Sequence, residues 1–127
     1  MIKNILITGG AGYIGSHVIE VLIKNKKKIF IIDNLSTGFK KLINKKASFY
    51  NLNILNTAKL RKIILEKNID SVIHLAASLS IGIGEKQPKL YFKNNVLGTK
   101  SLLNACKNST VKNIIFSSTA AVYKDKQ

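Results

Sequence analysis

Short runs of β-branched and apolar residues alternate along the chain with longer stretches in which apolar residues recur every three or four positions. The runs are continuous rather than alternating, as expected of strands that are covered on both faces. We predict five strands, near residues 4–8, 28–32, 47–52, 71–75 and 113–117. Because strands alternate with helical stretches, the pattern indicates an α/β fold with a parallel sheet and crossover helices.

Three of the longer stretches predict helices that turn one face toward the sheet. The third follows Pro88, and proline is favourable at a helix start. The residues on these faces are Ile14, Val18, Val21 and Leu22 in the first helix, Leu60, Ile63, Ile64 and Lys67 in the second, and Asn95, Gly98, Thr99, Leu102 and Cys106 in the third. Five strands with such helices form most of a doubly wound sheet, for which we expect the strand order 3-2-1-4-5.

The chain is long enough for one domain and too short for two, since it has 127 residues of which 46% are apolar. It contains no internal repeat and no linker rich in glycine, serine or proline. We therefore expect residues 1–127 to form one unit. Doubly wound sheets bind their ligands at the carboxyl ends of the strands.

The chain is strongly basic, with twenty lysines, one arginine and a formal net charge of +15. Charge of this density attracts nucleic acid when it is gathered on one surface. Here the lysines are scattered, so we interpret them as solvated surface residues and expect no nucleic-acid partner.

Several other site classes find little support in the sequence. Cys106 is the only cysteine, and with only His17 and His74 beside it an internal disulfide and a metal cluster are not expected. The apolar runs are far shorter than the roughly 20 residues that span a bilayer. No secretory signal is recognised, so we expect a cytoplasmic protein without membrane association.

Gly9, Gly12 and Gly15 lie between the first predicted strand and the first predicted helix, with the spacing GxxGxxG. Glycine there lets the chain turn tightly, lets a pyrophosphate approach the backbone and lets the helix pack closely on the sheet. The N-terminus of the helix offers N–H groups and the positive end of its dipole to an anion. The turn therefore predicts a dinucleotide site of the Rossmann type.

Asp33 directly follows the second predicted strand. A carboxylate there accepts hydrogen bonds from an adenosine ribose and repels a 2′-phosphate, which favours NAD over NADP. The alternative is an ordinary strand-to-helix turn with Asp33 as a loop residue. His17 has no acidic partner in the motif, and we expect it to have a packing role.

With these motifs the chain resembles the extended short-chain dehydrogenase/reductases, and among them the UDP-glucose 4-epimerases. The resemblance covers the whole chain and rests on residues 8–17 (TGGAGYIGSH), 33–38 (DNLSTG), 74–77 (HLAA), 94–99 (NNVLGT) and 116–123 (FSSTAAVY). It implies a Rossmann fold, NAD as cofactor and a UDP-sugar as substrate. The implied reaction interconverts UDP-glucose and UDP-galactose, with a hydride passing to NAD and back to the other face of the sugar.

The resemblance also implies roles for individual residues. Those implied to bind the cofactor are Gly9, Gly12, Tyr13 and Ile14 at the pyrophosphate, Asp33, Asn34 and Ser36 at the adenosine, Asn95 on the nicotinamide side, and Ile54, Ala76, Ala77 and Ser117 elsewhere. Asn53 stands where the family commonly has an aspartate that reads the adenine, and it can still accept a hydrogen bond. Thr119 stands at the position of the catalytic serine or threonine hydroxyl. Two alternatives stay open: Thr119 as a strand hydroxyl satisfied by backbone, and Asn95 hydrogen-bonded to a neighbouring loop.

In that family a tyrosine takes a proton from the sugar and a lysine four positions later lowers the pKa of the tyrosine. The residues four positions after Tyr13, Tyr50, Tyr91 and Tyr123 are His17, Ile54, Asn95 and Gln127, so the sequence has no YxxxK motif. Two further departures are Leu79-Ser80, where the epimerases often have a lysine, and Lys124, where the family has a glycine. We expect the chain to stop before the catalytic pair and the substrate domain, and to be inactive alone.

Two alternatives remain at this stage. The nearest is a nucleotide-sugar 4,6-dehydratase or another sugar-nucleotide epimerase, which would share the same cofactor half. The second is a non-catalytic NAD-binding remnant or subunit. The fifth strand would be a bare apolar edge in a chain of this length, so a complementary chain or a homodimer is an expected partner.

Overall fold

One parallel sheet organises the residues that the computed structural model describes, which are 2–79 and 81–119. Its strands are β1 (Asn4–Thr8), β2 (Lys28–Asp33), β3 (Ser48–Asn51), β4 (Ser71–His74) and β5 (Asn113–Phe116). Their order across the sheet is β3-β2-β1-β4-β5. The predicted fold class and strand order are confirmed, and the predicted strand ends are correct to within one residue.

The carboxyl ends of the three central strands lie at the same level of the sheet. Thr8 at the end of β1 is paired with Ile32 on β2 and with His74 on β4. The chain passes from β1 outward to β2 and β3 and then returns to β4 on the other side of β1. This reversal is the point at which doubly wound sheets bind ligands.

Helices cover both faces of the sheet. They are α1 (Tyr13–Lys24), α2 (Thr57–Glu66), α3 (Ile81–Lys86), α4 (Pro88–Phe92) and α5 (Gly98–Cys106), with a π-helical segment (Lys93–Leu97) between α4 and α5 and a 3₁₀ turn (Lys40–Leu42) before β3. Alternate residues of β1 divide the core, because successive side chains of a strand point to opposite faces. Ile5 and Ile7 pack with Ile19 of α1, whereas Leu6 packs with Leu60 of α2 and Leu102 of α5.

The predicted contact face of α1 is partly wrong. Val18 and Leu22 pack against the core, but Ile14 and Val21 are exposed, and Ile19 is the fully buried residue of the helix. The reason is Gly15, whose missing side chain lets α1 approach the backbone of the glycine turn so closely that the side of the helix containing Gly15 and Ile19 meets the sheet. Ile14 is thereby left at the surface, at the start of α1.

The predicted faces of the two later helices are largely confirmed. In α2, Leu60 and Ile64 are buried, and Lys67 lies just past the end of the helix. The predicted helix after Pro88 exists, but the π-helical segment interrupts it, and Ser101 and Ala105 join its buried face. Gly98 lets the start of α5 pack on Ile54, since a β-carbon there would lie 2.5 Å from Ile54 Cδ1.

The single thiol is expected to report on unfolding. Cys106 is buried at the end of α5, and burial raises the pKa of its thiol to about 11. Since the thiolate is the reactive form, iodoacetamide at pH 8 should label the native chain at least about tenfold more slowly than the chain in denaturant. Mass spectrometry after timed labelling measures both rates, and equal rates would contradict the buried position.

No helix in the part of the chain that the structure describes combines the length and the apolar character needed to cross a membrane.

Candidate cofactor-binding site

A cleft of about 360 Å³ opens at the carboxyl ends of the central strands. Its walls come from the glycine turn after β1, the loop after β2, the start of the loop after β3 and the loop after β4. The residues that line it are Gly9, Gly12, Tyr13, Ile14, Gly15, Ile32, Asp33, Asn34, Ser36, Thr37, Gly38, Leu52, Ile54, Leu75, Ala76, Ala77, Leu79, Asn94 and Ser117. The cleft therefore coincides with the reversal of strand order.

Gly9 begins the turn and has a backbone conformation that favours glycine. Its φ is +72°, and its N–H donates to the carbonyl of Ile32 at 2.9 Å. A β-carbon on Gly9 would lie 2.7 Å from the backbone nitrogen of Ala76. Any side chain at this position would therefore be strained and would also collide with the loop after β4.

The start of α1 is built for close approach by another group. Gly12 is the N-cap residue, so no side chain caps the first turn, and no acidic residue lies there. The first turn of a helix has N–H groups without helical partners and carries the positive end of the helix dipole. Gly12 and the first residues of α1 line the cleft, and a helix start that is open to a ligand is the arrangement that binds a phosphate.

Asp33 links the two loops on the β2 side of the cleft. Its Oδ2 accepts a hydrogen bond from the N–H of Ala11 at 3.0 Å, and its Oδ1 accepts one from the N–H of Leu35 at 2.8 Å. The residue is 9% exposed and lines the cleft. Each carboxylate oxygen retains a lone pair, so Asp33 can hold the loops and still accept from a ligand hydroxyl.

The loop after β2 folds back onto the glycine turn. The N–H of Phe39 donates to the carbonyl of Ala11 at 3.0 Å, and Gly38 lies so close that its β-carbon would be 2.9 Å from Ala11 Cβ. Within this loop, Asn34 Oδ1 accepts from the N–H of Ser36 at 3.1 Å. The loop after β2 is thus attached to the glycine turn and lines one side of the cleft, while the loop after β4 lines another.

The loop after β4 is attached to the end of β1. The N–H of Leu75 donates to the carbonyl of Thr8 at 3.1 Å, and the N–H of Ala76 donates to Thr8 Oγ1 at 3.4 Å. Ala76 and Ala77 then continue along the cleft. Their small side chains leave room beside the glycine turn.

Twelve of the fifteen predicted site residues line the cleft, and three do not. The Asn53 side chain is exposed, and its Oδ1 accepts from the N–H of Leu55 at 2.9 Å. Asn95 does not line the cleft but is bonded to the loop after β4, where its amide accepts from the N–H of Ser78 at 2.7 Å and donates to the carbonyl of Ser78 at 3.0 Å. Thr119 lies two residues beyond Ser117 and is exposed.

Seven residues that line the cleft are absent from the predicted set. They are Ile32, Thr37, Gly38, Leu52, Leu75, Leu79 and Asn94. Most follow the carboxyl end of a strand, and that position is the signal that could have identified them. Asn94 could not have been separated from Asn95 by sequence, because the π-helical segment decides which amide faces the cleft.

The two histidines have different surroundings. His17 is exposed, its ring lies 4.7 Å from the ring of Tyr13, and its Nδ1 is 2.8 Å from the Tyr13 carbonyl oxygen. Its expected packing contact is therefore with Tyr13 at the surface. His74 is buried at the end of β4, and burial lowers its pKa. Among the residues that the structure describes, no three His, Cys, Asp or Glu side chains are grouped as metal ligands.

The positions compared with the family's catalytic tyrosine and lysine near the end of the chain lie outside the described residues. Tyr123, Lys124 and Gln127 fall there, as does Ser80.

Comparison with known families assigns nearly the whole chain. Residues 5–127 match the NAD dependent epimerase/dehydratase family. The chain is 42% identical over 120 residues to the UDP-glucose 4-epimerase of Lactobacillus helveticus, an alignment that covers 94% of this chain and 36% of that protein. The chain therefore spans little more than a third of the length of this relative.

Solved structures show the same fold. The UDP-glucose 4-epimerase of Thermotoga maritima, determined with UDP-glucose, superposes with a TM-score of 0.89 at 40% identity over 92% of this chain and 38% of that chain. The UDP-glucose 4-epimerase of Brucella ovis, determined in complex with NAD, superposes with a TM-score of 0.90 at 40% identity over 95% of this chain and 37% of that chain. The similarity thus covers a little over a third of each of these longer chains.

Proposed function

Because the chain belongs to the NAD dependent epimerase/dehydratase family, we propose that its cleft binds NAD and that it is the NAD-binding part of an enzyme similar to the UDP-glucose 4-epimerases. The observation that carries the proposal is the pairing, in one cleft, of an uncapped helix start at Gly12 with the carboxylate of Asp33. These two features provide an anion site and a ribose site on adjacent loops.

The residues present fit the cofactor. Gly9 and Gly15 keep the turn free of side chains, and a β-carbon at either position would collide with backbone. Gly12 leaves the entrance to the helix N-terminus open, so the pyrophosphate would lie against the N–H groups of Tyr13 and Ile14. Asp33 would accept from the adenosine ribose, with Asn34 and Ser36 beside it.

The other half of the cofactor would lie toward β4. Ala76 and Ala77 offer a small-residue wall there, and Ser117 lies at the carboxyl end of β5. When bound, NAD supplies a nicotinamide ring that accepts a hydride and returns it. In this proposal Thr119, just past Ser117, orients a sugar hydroxyl. Asn95 does not touch the cofactor and supports the loop after β4 through its hydrogen bonds to Ser78.

Epimerisation of a UDP-sugar at C4 is the activity that we propose for the whole protein. The support is the identity of about 40% to UDP-glucose 4-epimerases, one of them solved with UDP-glucose. The substrate side of such an enzyme is not represented in the described residues. The first test therefore addresses the cofactor rather than turnover.

Calorimetric titration of the purified chain with NAD, and with NADP as the comparison, tests the proposal. We expect saturable binding of NAD and binding of NADP weaker by at least about tenfold, because the 2′-phosphate would meet the carboxylate of Asp33. A folded chain that binds neither nucleotide would overturn the cofactor proposal. A preference for NADP would overturn the role of Asp33.

A further inference from the structure

His74 lies at the carboxyl end of β4, directly before the loop that lines the cleft, and contacts β1, α5 and β5. The residue is 3% exposed. Its Nδ1 is 2.6 Å from Thr8 Oγ1 at the end of β1, and its Nε2 is 2.8 Å from Thr99 Oγ1 on α5. The ring of Phe116 on β5 packs beside it, with the ring centroids 5.6 Å apart.

The hydrogen bonds around His74 favour one of its two neutral tautomers. When the hydroxyl of Thr99 donates its one proton to the carbonyl of Asn95, at 2.7 Å, its oxygen is left to accept from His74. This arrangement assigns the ring hydrogen to Nε2. In the neutral ring Nδ1 is then an acceptor, and it receives the proton of the Thr8 hydroxyl, which itself accepts from the N–H of Ala76.

The chain of hydrogen bonds continues to the far side of the same loop. Asn95, whose carbonyl accepts from Thr99, holds the backbone of Ser78 through both atoms of its amide. Asn94 Nδ2 donates to Ser78 Oγ at 2.7 Å, and Asn94 also lines the cleft. The loop after β4 is thus held at Ala76 by Thr8 and at Ser78 by the π-helical segment. His74 connects these two attachments, because it is bonded to Thr8 on one side and, through Thr99, to Asn95 on the other.

We propose that neutral His74 is a positioning residue that sets the spacing between the loop after β4 and the π-helical segment. The loop after β4, which lines one side of the cleft, is then in place before the cofactor binds. The inference rests on the proposed binding of NAD. A preformed wall raises affinity because less ordering accompanies binding. π-helical turns inside helices are frequent at functional sites, and here the turn lets two successive asparagines reach one serine.

The hydrogen-bond and ring neighbours of His74 within residues 2–79 and 81–119 are uncharged. The groups that face His74 in the described part of the chain are Thr8 from β1, Thr99 from α5 and Phe116 from β5, and burial alone lowers the pKa of His74. If His74 were protonated, its Nδ1–H would point at Thr8 Oγ1, and the hydroxyl of Thr8 would have to rotate its own hydrogen away. With a folded-state pKa below the unfolded value, the stability from His74 is complete above about pH 6.5 and is lost as the pH falls through the folded-state pKa.

The test compares Thr99→Val, which removes the hydroxyl at nearly constant shape, with Thr99→Ser, which keeps it. The matched control is Thr57→Val. Thr57 on α2 is bonded through Oγ1 to Ser101 Oγ, 2.7 Å away on α5, the helix that also carries Thr99, and Thr57 does not line the cleft. Calorimetry with NAD measures affinity, and amide hydrogen exchange at residues 76–78 measures the order of the loop without ligand. Ring-nitrogen NMR of a His17→Asn chain reports the tautomer of His74.

We expect Thr99→Val to speed exchange at residues 76–78 and to weaken NAD binding about five- to tenfold, because it removes the hydroxyl that is bonded to both His74 and Asn95. Thr99→Ser should restore both values, and Thr57→Val should leave both unchanged although it also loses a hydroxyl bond. Three results would overturn the proposal: an Nδ1–H tautomer, unchanged exchange in Thr99→Val, or equal effects of Thr57→Val. If the wild-type chain bound no NAD, the cofactor proposal would fail, while the exchange and NMR results would still judge the role of His74.

Discussion

Replacing Gly15 with alanine is expected to remove NAD binding and to destabilise the chain by about 3 kcal/mol, the upper range for overpacking a closed contact. The added β-carbon would collide with the carbonyl oxygen of Gly9 and lie 2.7 Å from Gly10 Cα. Both are backbone atoms of the glycine turn, so neither can move without displacing the turn or lifting α1 from the sheet. Calorimetry with NAD and denaturant unfolding measure the two effects.

The chain offers matched controls for this substitution. A β-carbon on Gly82 in α3 would meet nothing within 4 Å, so Gly82→Ala should leave NAD affinity unchanged and, through helix propensity, should not destabilise the chain. A β-carbon on Gly12 would lie 3.3 Å from Gly9 O, so Gly12→Ala should have an intermediate effect. Wild-type affinity in Gly15→Ala would show that α1 does not rest on the turn as described.

Asp33→Asn is expected to cost about 2 kcal/mol of stability and to lower the preference for NAD over NADP. The carboxylate accepts from the N–H groups of Ala11 and Leu35, and an amide in its place can accept only through its oxygen. One N–H group would then face another donor, and a largely buried donor without an acceptor costs about 1–3 kcal/mol. Loss of the negative charge also removes the repulsion of a 2′-phosphate.

Glu20→Gln is the control for the change of charge. Glu20 is an exposed acid of α1 whose Oε1 accepts from Asn44 Nδ2, and its loss raises the net charge by the same single unit. It should leave both the unfolding midpoint and the ratio of NAD to NADP dissociation constants near their wild-type values. An Asp33→Asn chain with an unchanged ratio would show that this carboxylate does not select the cofactor.

Most of the fold could be predicted from the sequence because its signals are local. Continuous apolar runs predict the strands, and the central strands β1 and β2 are buried on both faces, whereas β3 and β5 at the edges of the sheet are not. The glycine spacing between the first strand and α1 is required by the turn itself. The family followed from blocks distributed over the whole chain, and the match of residues 5–127 confirms it. The family name also carries the NAD dependence that the glycine turn and Asp33 predicted.

Contacts between distant segments could not be predicted in the same way. The 3.6-residue period placed Ile14 and Val21 on the buried face of α1, whereas the close approach at Gly15 buries Ile19 and leaves both exposed. The period carries no information about how near a helix can come to its neighbour, and that distance decides which face is buried.

The sequence by itself determined the parallel sheet, the strand order, the family and the position of the glycine turn, because each depends on residue type and spacing along the chain. The tertiary structure alone decided that Asp33 bridges two loops, that Asn94 rather than Asn95 faces the cleft, and that His74 lies between Thr8 and Thr99. These are hydrogen bonds between residues up to 66 positions apart. Their partners are set by the packing of the sheet and its helices, which no local pattern in the sequence records.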